Sequence, residues 1–271
     1  SADLTPKPAT PATVNANQAM RPVVAAFDKR DFDDATRGKL AELNDPLVKA
    51  ADGRIVWDTR KFDFLKGETP VTANPSLWRH ALLNAQVGLF KVTDGVYQLR
   101  GFDVANITLV EGKTGWIVVD ALTSRESAAA AMAFARQHLG NKPVAALIFT
   151  HSHIDHFGGA LGVVSPEEVA KRKLPVIASA GFMEESTGEN VMVGTAMGRR
   201  SIYQFGRDLE RSPKGNVDTG LGKNVVYGTF GILPPTKLIA QPTEEMALDG
   251  VRFVFHNVPG AEAPAEMTFS I

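Results

Sequence analysis

Three histidines and an aspartate fall within the six residues His151-Ser152-His153-Ile154-Asp155-His156. Imidazole nitrogens and carboxylate oxygens are the ligands that suit zinc and neighbouring divalent metals. Half of the chain's six histidines sit in this one run. In extended backbone, His151 and His153 are separated by a single residue and point the same way. Asp155 and His156 follow as the chain turns and can serve a second position, so the spacing suggests two metals rather than one. A surface loop that happens to be rich in histidine explains one such residue far better than four groups at this spacing.

The flanking segments say how these groups are held. Pro143-Val144-Ala145-Ala146-Leu147-Ile148-Phe149 is an unbroken apolar run of strand length, the pattern of a strand covered on both faces. Gly158, Gly159 and Gly162 then open a segment of small residues. The candidate ligands therefore lie at the carboxyl end of a buried strand, where α/β sheets usually place their chemistry. Before that strand, residues 95–99, 106–110 and 115–120 read as strands separated by glycine and polar turns. Ser124 is the expected N-cap of an alanine-rich helix over 125–138 that Gly140 ends, which makes a strand–helix–strand crossover. Asp120 closes its strand much as Phe149 does, and two roles stand open for it, support of a ligand histidine or entry into the helix.

After the run, residues 174–178 should form a strand, 180–185 a short helix and 190–209 a longer helix carrying Met192, Met197, Ile202, Tyr203 and Phe205. Core packing explains those apolar side chains better than an alkyl-chain groove does. Arg199 and Arg200 are adjacent, so at most one can face a site, and solvation is the default for both. Residues 215–231, with Asp218, Asn224 and Tyr227, read as a glycine-rich loop near the cleft. His256 lies on the alternating strand 251–256 and reads as a strand-face residue.

Composition sets limits. With 271 residues and 44% hydrophobic content the chain can bury a full core. A net charge of −1 gives no footing for nucleic acid or an anionic membrane, and no apolar stretch is long enough to span a bilayer. The absence of cysteine removes thiolate ligands and disulfides. Residues 1–20, rich in Pro, Ala and Thr, should be an extended arm. Residues 28–88 read as turn-punctuated, with helical pieces at 36–44 and 77–87, and Trp57, Phe62, Phe64 and Trp78 as anchors burying an N-terminal wrap. The expected division is 1–88 as an N-terminal extension and 89–271 as a catalytic domain.

The run from His151 to His156 resembles the HxHxDH signature of the metallo-β-lactamase superfamily. That resemblance implies an α/β (α+β) fold, the αββα sandwich, here its first portion with an N-terminal extension. Four further strings resemble the type III, dodecyl-sulfate-hydrolysing alkyl sulfatases of that superfamily: Asn74-Pro75-Ser76-Leu77-Trp78-Arg79, Gly115-Trp116-Ile117-Val118-Val119-Asp120, Gly181-Phe182-Met183-Glu184-Glu185 and Glu262-Ala263-Pro264-Ala265-Glu266-Met267. Much of the superfamily has Pro-Gly-His-Thr-Pro-Gly where this chain has Pro259-Gly260-Ala261-Glu262-Ala263-Pro264. The resemblance implies that Glu262 replaces that metal-binding histidine, with Glu266 as its competitor or its support.

The resemblance implies zinc-dependent hydrolysis of alkyl sulfate esters to alcohol and inorganic sulfate. One Zn2+ would be held by His151, His153 and Glu262 and a second by Asp155 and His156, with Asp155 and Glu262 counted among the catalytic groups. It also implies a homodimer in a longer protein and a periplasmic or secreted location. Full-length members carry further ligands, another Glu, a His and sulfate-holding residues, beyond the point matched by Ile271. On that ground the expectation is a sandwich with an exposed inner face, poorly stable as 271 residues. Two rival readings accompany it: another hydrolase of the same fold, acting on lactones, lactams or thioesters, and an inactive binding module.

Overall fold

The computed structural model describes residues 3–43 and 47–271. Thirteen strands are found among these residues: β1 (Lys39–Glu42), β2 (Val48–Lys49), β3 (Ile55–Trp57), β4 (Gly88–Thr93), β5 (Val96–Arg100), β6 (Ile107–Glu111), β7 (Trp116–Val119), β8 (Val144–Ile148), β9 (Val176–Ser179), β10 (Lys237–Ile239), β11 (Thr243–Leu248), β12 (Val251–Asn257) and β13 (Met267–Ser270). An eight-stranded sheet runs in the order β1-β4-β5-β6-β7-β8-β9-β10, antiparallel as far as β7 and parallel from β7 to β10. β11, β12 and β13 form a second, antiparallel sheet.

Side chains alternate across a strand, and the apolar runs of the central strands feed two cores by that rule. Trp116 and Val118, Leu147, and Val176 and Ala178 join the core beneath the Arg125–Leu139 helix. Ile117 and Val119, Ile148, and Ile177 point the other way, against Leu248, Phe253, Phe255 and Met267 of the smaller sheet. The inner face of the main sheet is therefore closed, with Ile117, Ile148 and Ile177 at 0% exposure, which corrects the expectation of an open half-sandwich. Three strands suffice because five apolar side chains of β6 to β8 meet large residues of β11 to β13 directly.

The crossover forms as the sequence predicts. Ser124 Oγ accepts from the Ser127 amide at the start of the Arg125–Leu139 helix, and Gly140 ends it at φ +90°. Elsewhere the structure differs. Residues 11–20 of the expected extended arm instead belong to the helix Pro11–Ala25, because Thr10 caps it and Pro11 occupies its first turn. Asn17 and Arg21 tie that helix to the carbonyls of Val71 and Thr69. Residues 39–42, read as helical, instead form β1: Gly38 turns the chain at φ +71° and its carbonyl accepts from the Lys91 amide, so pairing with β4 overrides local propensity. Asn44 of that same expected helix lies outside the described residues, as do Ser1 and Ala2 of the expected arm. The methionine-bearing segment divides into a π turn, Gly188–Met192, and the helix Gly194–Phe205; Met192 is 81% and Tyr203 89% exposed, so they do not pack in a core.

The aromatic anchors behave as expected: Trp57, Phe62 and Trp78 are buried in a third cluster with Val217 and Val226, and Phe64 packs on it. Among the described residues no helix is long and apolar enough to cross a membrane.

Close packing around the metal loop is the most exacting feature. A Cβ on Gly159 would come within 2.2 Å of the Ala121 carbonyl oxygen and 2.5 Å of that of Ser124, whereas one on Gly198 meets nothing within 4 Å. Gly159→Ala is expected to cost about 1–3 kcal/mol or more through overpacking. Gly198→Ala, within a helix, should be neutral or stabilising by up to about 1 kcal/mol. Urea unfolding midpoints of the two variants check this, and equal midpoints would contradict it.

Candidate metal centre

β8 ends at Ile148, and the chain continues extended through His151 before the short helix Ile154–Phe157 begins. Three side chains converge at this point: His151, His153 and Glu262 each place one ligand atom within 4.8 Å of the others. His151 Nε2 and His153 Nδ1 are 3.1 Å apart, and Glu262 Oε1 stands 3.9 and 3.6 Å from them. Tetrahedral ligands at zinc–nitrogen distances of about 2.05 Å are separated by about 3.3 Å, so this triangle has the dimensions of three corners of a divalent-metal site. The fit is chemical as well. Two imidazole nitrogens and a carboxylate oxygen are ligand types that zinc and its neighbours take. Asp155 and His156 lie beside the triangle, with His156 Nε2 3.3 Å from Asp155 Oδ2 and the His151 and His156 rings 4.0 Å apart. Among the described residues that pair is not part of the three-residue ligand group.

The supporting hydrogen bonds fix how the His151 and His156 rings are turned. Asp120, at the end of β7, accepts the Thr150 amide at 2.8 Å and touches Thr150 Oγ1 at 2.9 Å and His156 Nδ1 at 2.7 Å. A carboxylate only accepts, so the single hydroxyl proton of Thr150 goes to Asp120. The lone pairs of Thr150 Oγ1 then accept from His151 Nδ1, 3.0 Å away. His151 thus presents an unprotonated Nε2 to the triangle, and His156, donating through Nδ1, turns Nε2 toward Asp155. Asp120 adopts φ +62°, an unusual conformation for a non-glycine residue, which the three contacts stabilise.

Glu262 is brought in from the second sheet. The Met267 amide donates to the Thr150 carbonyl at 2.9 Å, and His151 and Glu266 form an isolated antiparallel bridge. Glu266 Oε2 accepts from the amides of Glu262 (2.6 Å) and Ala263 (3.0 Å), so it shapes the loop from which Glu262 reaches the histidines. His256 lies on the face of β12, beside Thr243 Oγ1 at 3.1 Å, as the alternation of that strand predicts.

Electrostatics differ sharply between the rings. Burial, helped by the neighbouring His156, pushes His151 below the usual imidazole range, toward the neutral form that ligates metal. Burial acts the same way on His156, yet the carboxylates of Asp120 and Asp155 override it and push that ring up to about 11. For Asp155 the cost of burial is outweighed by the His156 hydrogen bond, which leaves it below the ordinary carboxylate value.

Residues 100–245 match the Metallo-beta-lactamase superfamily. The chain belongs to the metallo-beta-lactamase superfamily. Within it, the chain is 46% identical over 262 residues to the Alkyl/aryl-sulfatase BDS1 of Saccharomyces cerevisiae, covering 96% of this chain and 41% of that protein. It is 45% identical over 269 residues to a linear primary-alkylsulfatase of Pseudomonas sp, covering 98% of this chain and 40% of that one. The solved structure of the inverting sec-alkylsulfatase Pisa1 from Pseudomonas sp. superposes with a TM-score of 0.94 at 39% identity, over 100% of this chain and 43% of that one. The chain spans about two fifths of the length of the relatives it matches. Membership in the superfamily implies a divalent metal, and the donor set at the end of β8 suits one.

One contributor escaped the sequence reading. Asp103 is 2% exposed and accepts from the amides of Val104, Thr123 and Val226 (2.7, 2.9 and 3.0 Å), joining three loops on the metal side of the main sheet. Burial pushes its carboxyl up to about 7, against the pull of those amides. An aspartate following Gly101-Phe102 at a strand end was the only signal available.

Thr150→Val removes the hydroxyl relay at nearly constant volume, and Asp120→Asn removes its anchor. Each is expected to weaken divalent-metal binding by about 10–100-fold, as outer partners of ligands typically do, while Thr150→Ser retains it. Competition with a chromophoric chelator measures this, and an unchanged affinity for Thr150→Val would show that the relay does not set the His151 tautomer.

Proposed function

We propose that this centre hydrolyses alkyl sulfate esters to the alcohol and inorganic sulfate, with zinc as its cofactor. The observation that carries the proposal is Glu262, the carboxylate that completes a triangle with His151 and His153, in a chain 46%, 45% and 40% identical to proteins described as alkylsulfatases. His151, His153 and Glu262 would hold one ion, and Asp155 with His156 would contribute to a second. Zinc bound there would offset the charge of the sulfate ester and bring the pKa of water toward neutrality.

The remaining work falls to the chain's own residues. Thr150 keeps His151 Nε2 free of a proton, and Asp120 holds His156 through Nδ1 so that its Nε2 faces Asp155. Glu266 holds the Glu262 loop against the end of β8, and close packing at His151, 3% exposed, keeps bulk water from the inner side of the ligand set. Fixed donors of this kind need no rearrangement when the substrate arrives. On the same reading the working protein is a homodimer outside the cytoplasm.

Sulfate released from dodecyl sulfate by the purified protein, assayed as isolated, with chelator and with zinc restored, tests the reading. Release that the chelator abolishes and zinc returns is the expected result, with Glu262→Gln lowering it at least about 100-fold. Zinc-loaded protein that spares dodecyl sulfate but opens a lactone or thioester would overturn it.

A further inference from the structure

Asp103 has no part in the ligand set, yet it stands at the junction of two segments that grip it. Its carboxylate accepts four donors: the Val104 and Val226 amides on Oδ1 (2.7 and 3.0 Å), and the Thr123 amide and Ser127 hydroxyl on Oδ2 (2.9 and 3.3 Å). One tied segment is therefore 121–124 and the other 226–231. A second tie joins them. The Arg125 amide donates to the Thr229 carbonyl at 2.8 Å, while Glu126 accepts the Thr229 amide and hydroxyl at 2.8 and 2.7 Å.

Together the two segments clasp the turn that ends the helix Ile154–Phe157. The Ala121 amide donates to the His156 carbonyl at 2.8 Å, and the Leu122 carbonyl accepts from the Gly159 amide at 2.9 Å. From the other segment the Gly231 amide donates to the Gly158 carbonyl at 2.9 Å. The clasp has no slack: a Cβ on Gly158 would lie 2.3 Å from the Thr123 carbonyl oxygen, and one on Gly228 would lie 2.4 Å from Glu126 Oε2 and 2.8 Å from Ser124 Cβ. Asp155 and His156 sit on that helix, so the clasp sets their position from its carboxyl end, as Asp120 does through the His156 ring.

The number of donors explains why an acid stands at 103. At 2% exposure burial pushes the carboxyl up to about 7, and the charge of Asp155 adds to the rise, so ionisation is costly there. An asparagine would avoid that cost, but it offers a single acceptor oxygen and turns an NH2 group against one pair of donors. We propose that Asp103 is a positioning residue for the metal loop: by gathering 121–124 and 226–231 it holds Asp155 and His156 in place with no hydrogen bond to either. The inference rests on the metal site and not on the sulfatase reading, and its readouts need no substrate.

Asp103→Asn, shown to be folded by circular dichroism, should bind zinc about threefold to thirtyfold more weakly in competition with a chromophoric chelator, the usual range for coupling through an intervening element. In metal-free protein carrying isotope-labelled histidine, the His156 ring signals of this variant should shift while those of His256 on β12 stay, whereas a general loosening would move both. Gly228→Ala presses the same two segments apart with Asp103 intact and should reproduce both effects. Val144→Ala, at the opposite end of β8 from the ligands, should lower the melting temperature and leave zinc affinity unchanged. Wild-type affinity or unmoved His156 signals in folded Asp103→Asn would overturn the proposal. So would an equal loss of affinity in Val144→Ala, or the failure of both Asp103→Asn and Gly228→Ala to fold, since the role would then belong to the fold alone.

Discussion

The carboxylate of Asp120 is the contact on which the metal centre turns. It takes the amide and the hydroxyl of Thr150 at one end of the ligand loop and Nδ1 of His156 at the other. Because a carboxylate has no proton to give, those contacts dictate the direction of every hydrogen bond beyond them. Thr150 must accept from His151, and His156 must donate to Asp120. Two imidazoles in different parts of the loop are thereby oriented by one acid that does not itself reach the triangle. The same carboxylate, together with that of Asp155, pushes His156 up to about 11 against the effect of burial.

The second requirement is that a residue from the smaller sheet reach the end of β8. The Met267 amide on the Thr150 carbonyl joins the two sheets at the ligand loop. Glu266 then gathers two amides of the preceding turn, which leaves Glu262 extended toward the histidines. The acids thus divide the labour: Glu266, pulled below the ordinary carboxylate value by those amides despite its partial burial, shapes the loop, and Glu262 faces the site. Core packing supports this arrangement from below, since Met267 is buried with Ile148 and Phe255 between the sheets.

What the sequence made legible follows from the range of the forces involved. The buried strands β7 to β9, the Ser124 cap and the ligand run are local patterns, and they formed where the residues predict. The resemblance supplied Glu262, more than 100 residues downstream, and the structure brings it to His151 and His153. The misreadings concern segments whose state is decided elsewhere. β1 is a strand because β4 offers it an edge, and nothing in Lys39-Leu40-Ala41-Glu42 announces that. The Pro11–Ala25 helix carried its cap in plain view, but the proline and alanine content masked it. Met192 and Tyr203 look like core residues by type alone, yet the helix they flank or occupy packs no residue into a core. Asp103 was invisible because two of its amide partners, Thr123 and Val226, lie 20 and 123 residues away in sequence.

The N-terminal wrap is bound to the site's surroundings by a polar contact as well as by its aromatic anchors. Lys223, 3% exposed, donates to the Ala81 carbonyl at 2.5 Å and lies 3.3 Å from Asp218, which also accepts from Asn84 at 3.0 Å. Burial lowers the lysine's pKa even beside Asp218, so the pair is not there for a large net gain in stability. Its effect is positional, because a buried ion pair tolerates one register only. That register fixes residues 218–226 against the helix Pro75–Asn84, and the same loop continues to Val226, whose amide binds Asp103, and to Gly231, whose amide binds the Gly158 carbonyl beside the metal loop. A wrap that at first looks like decoration is in this way one wall of the frame that holds the ligands.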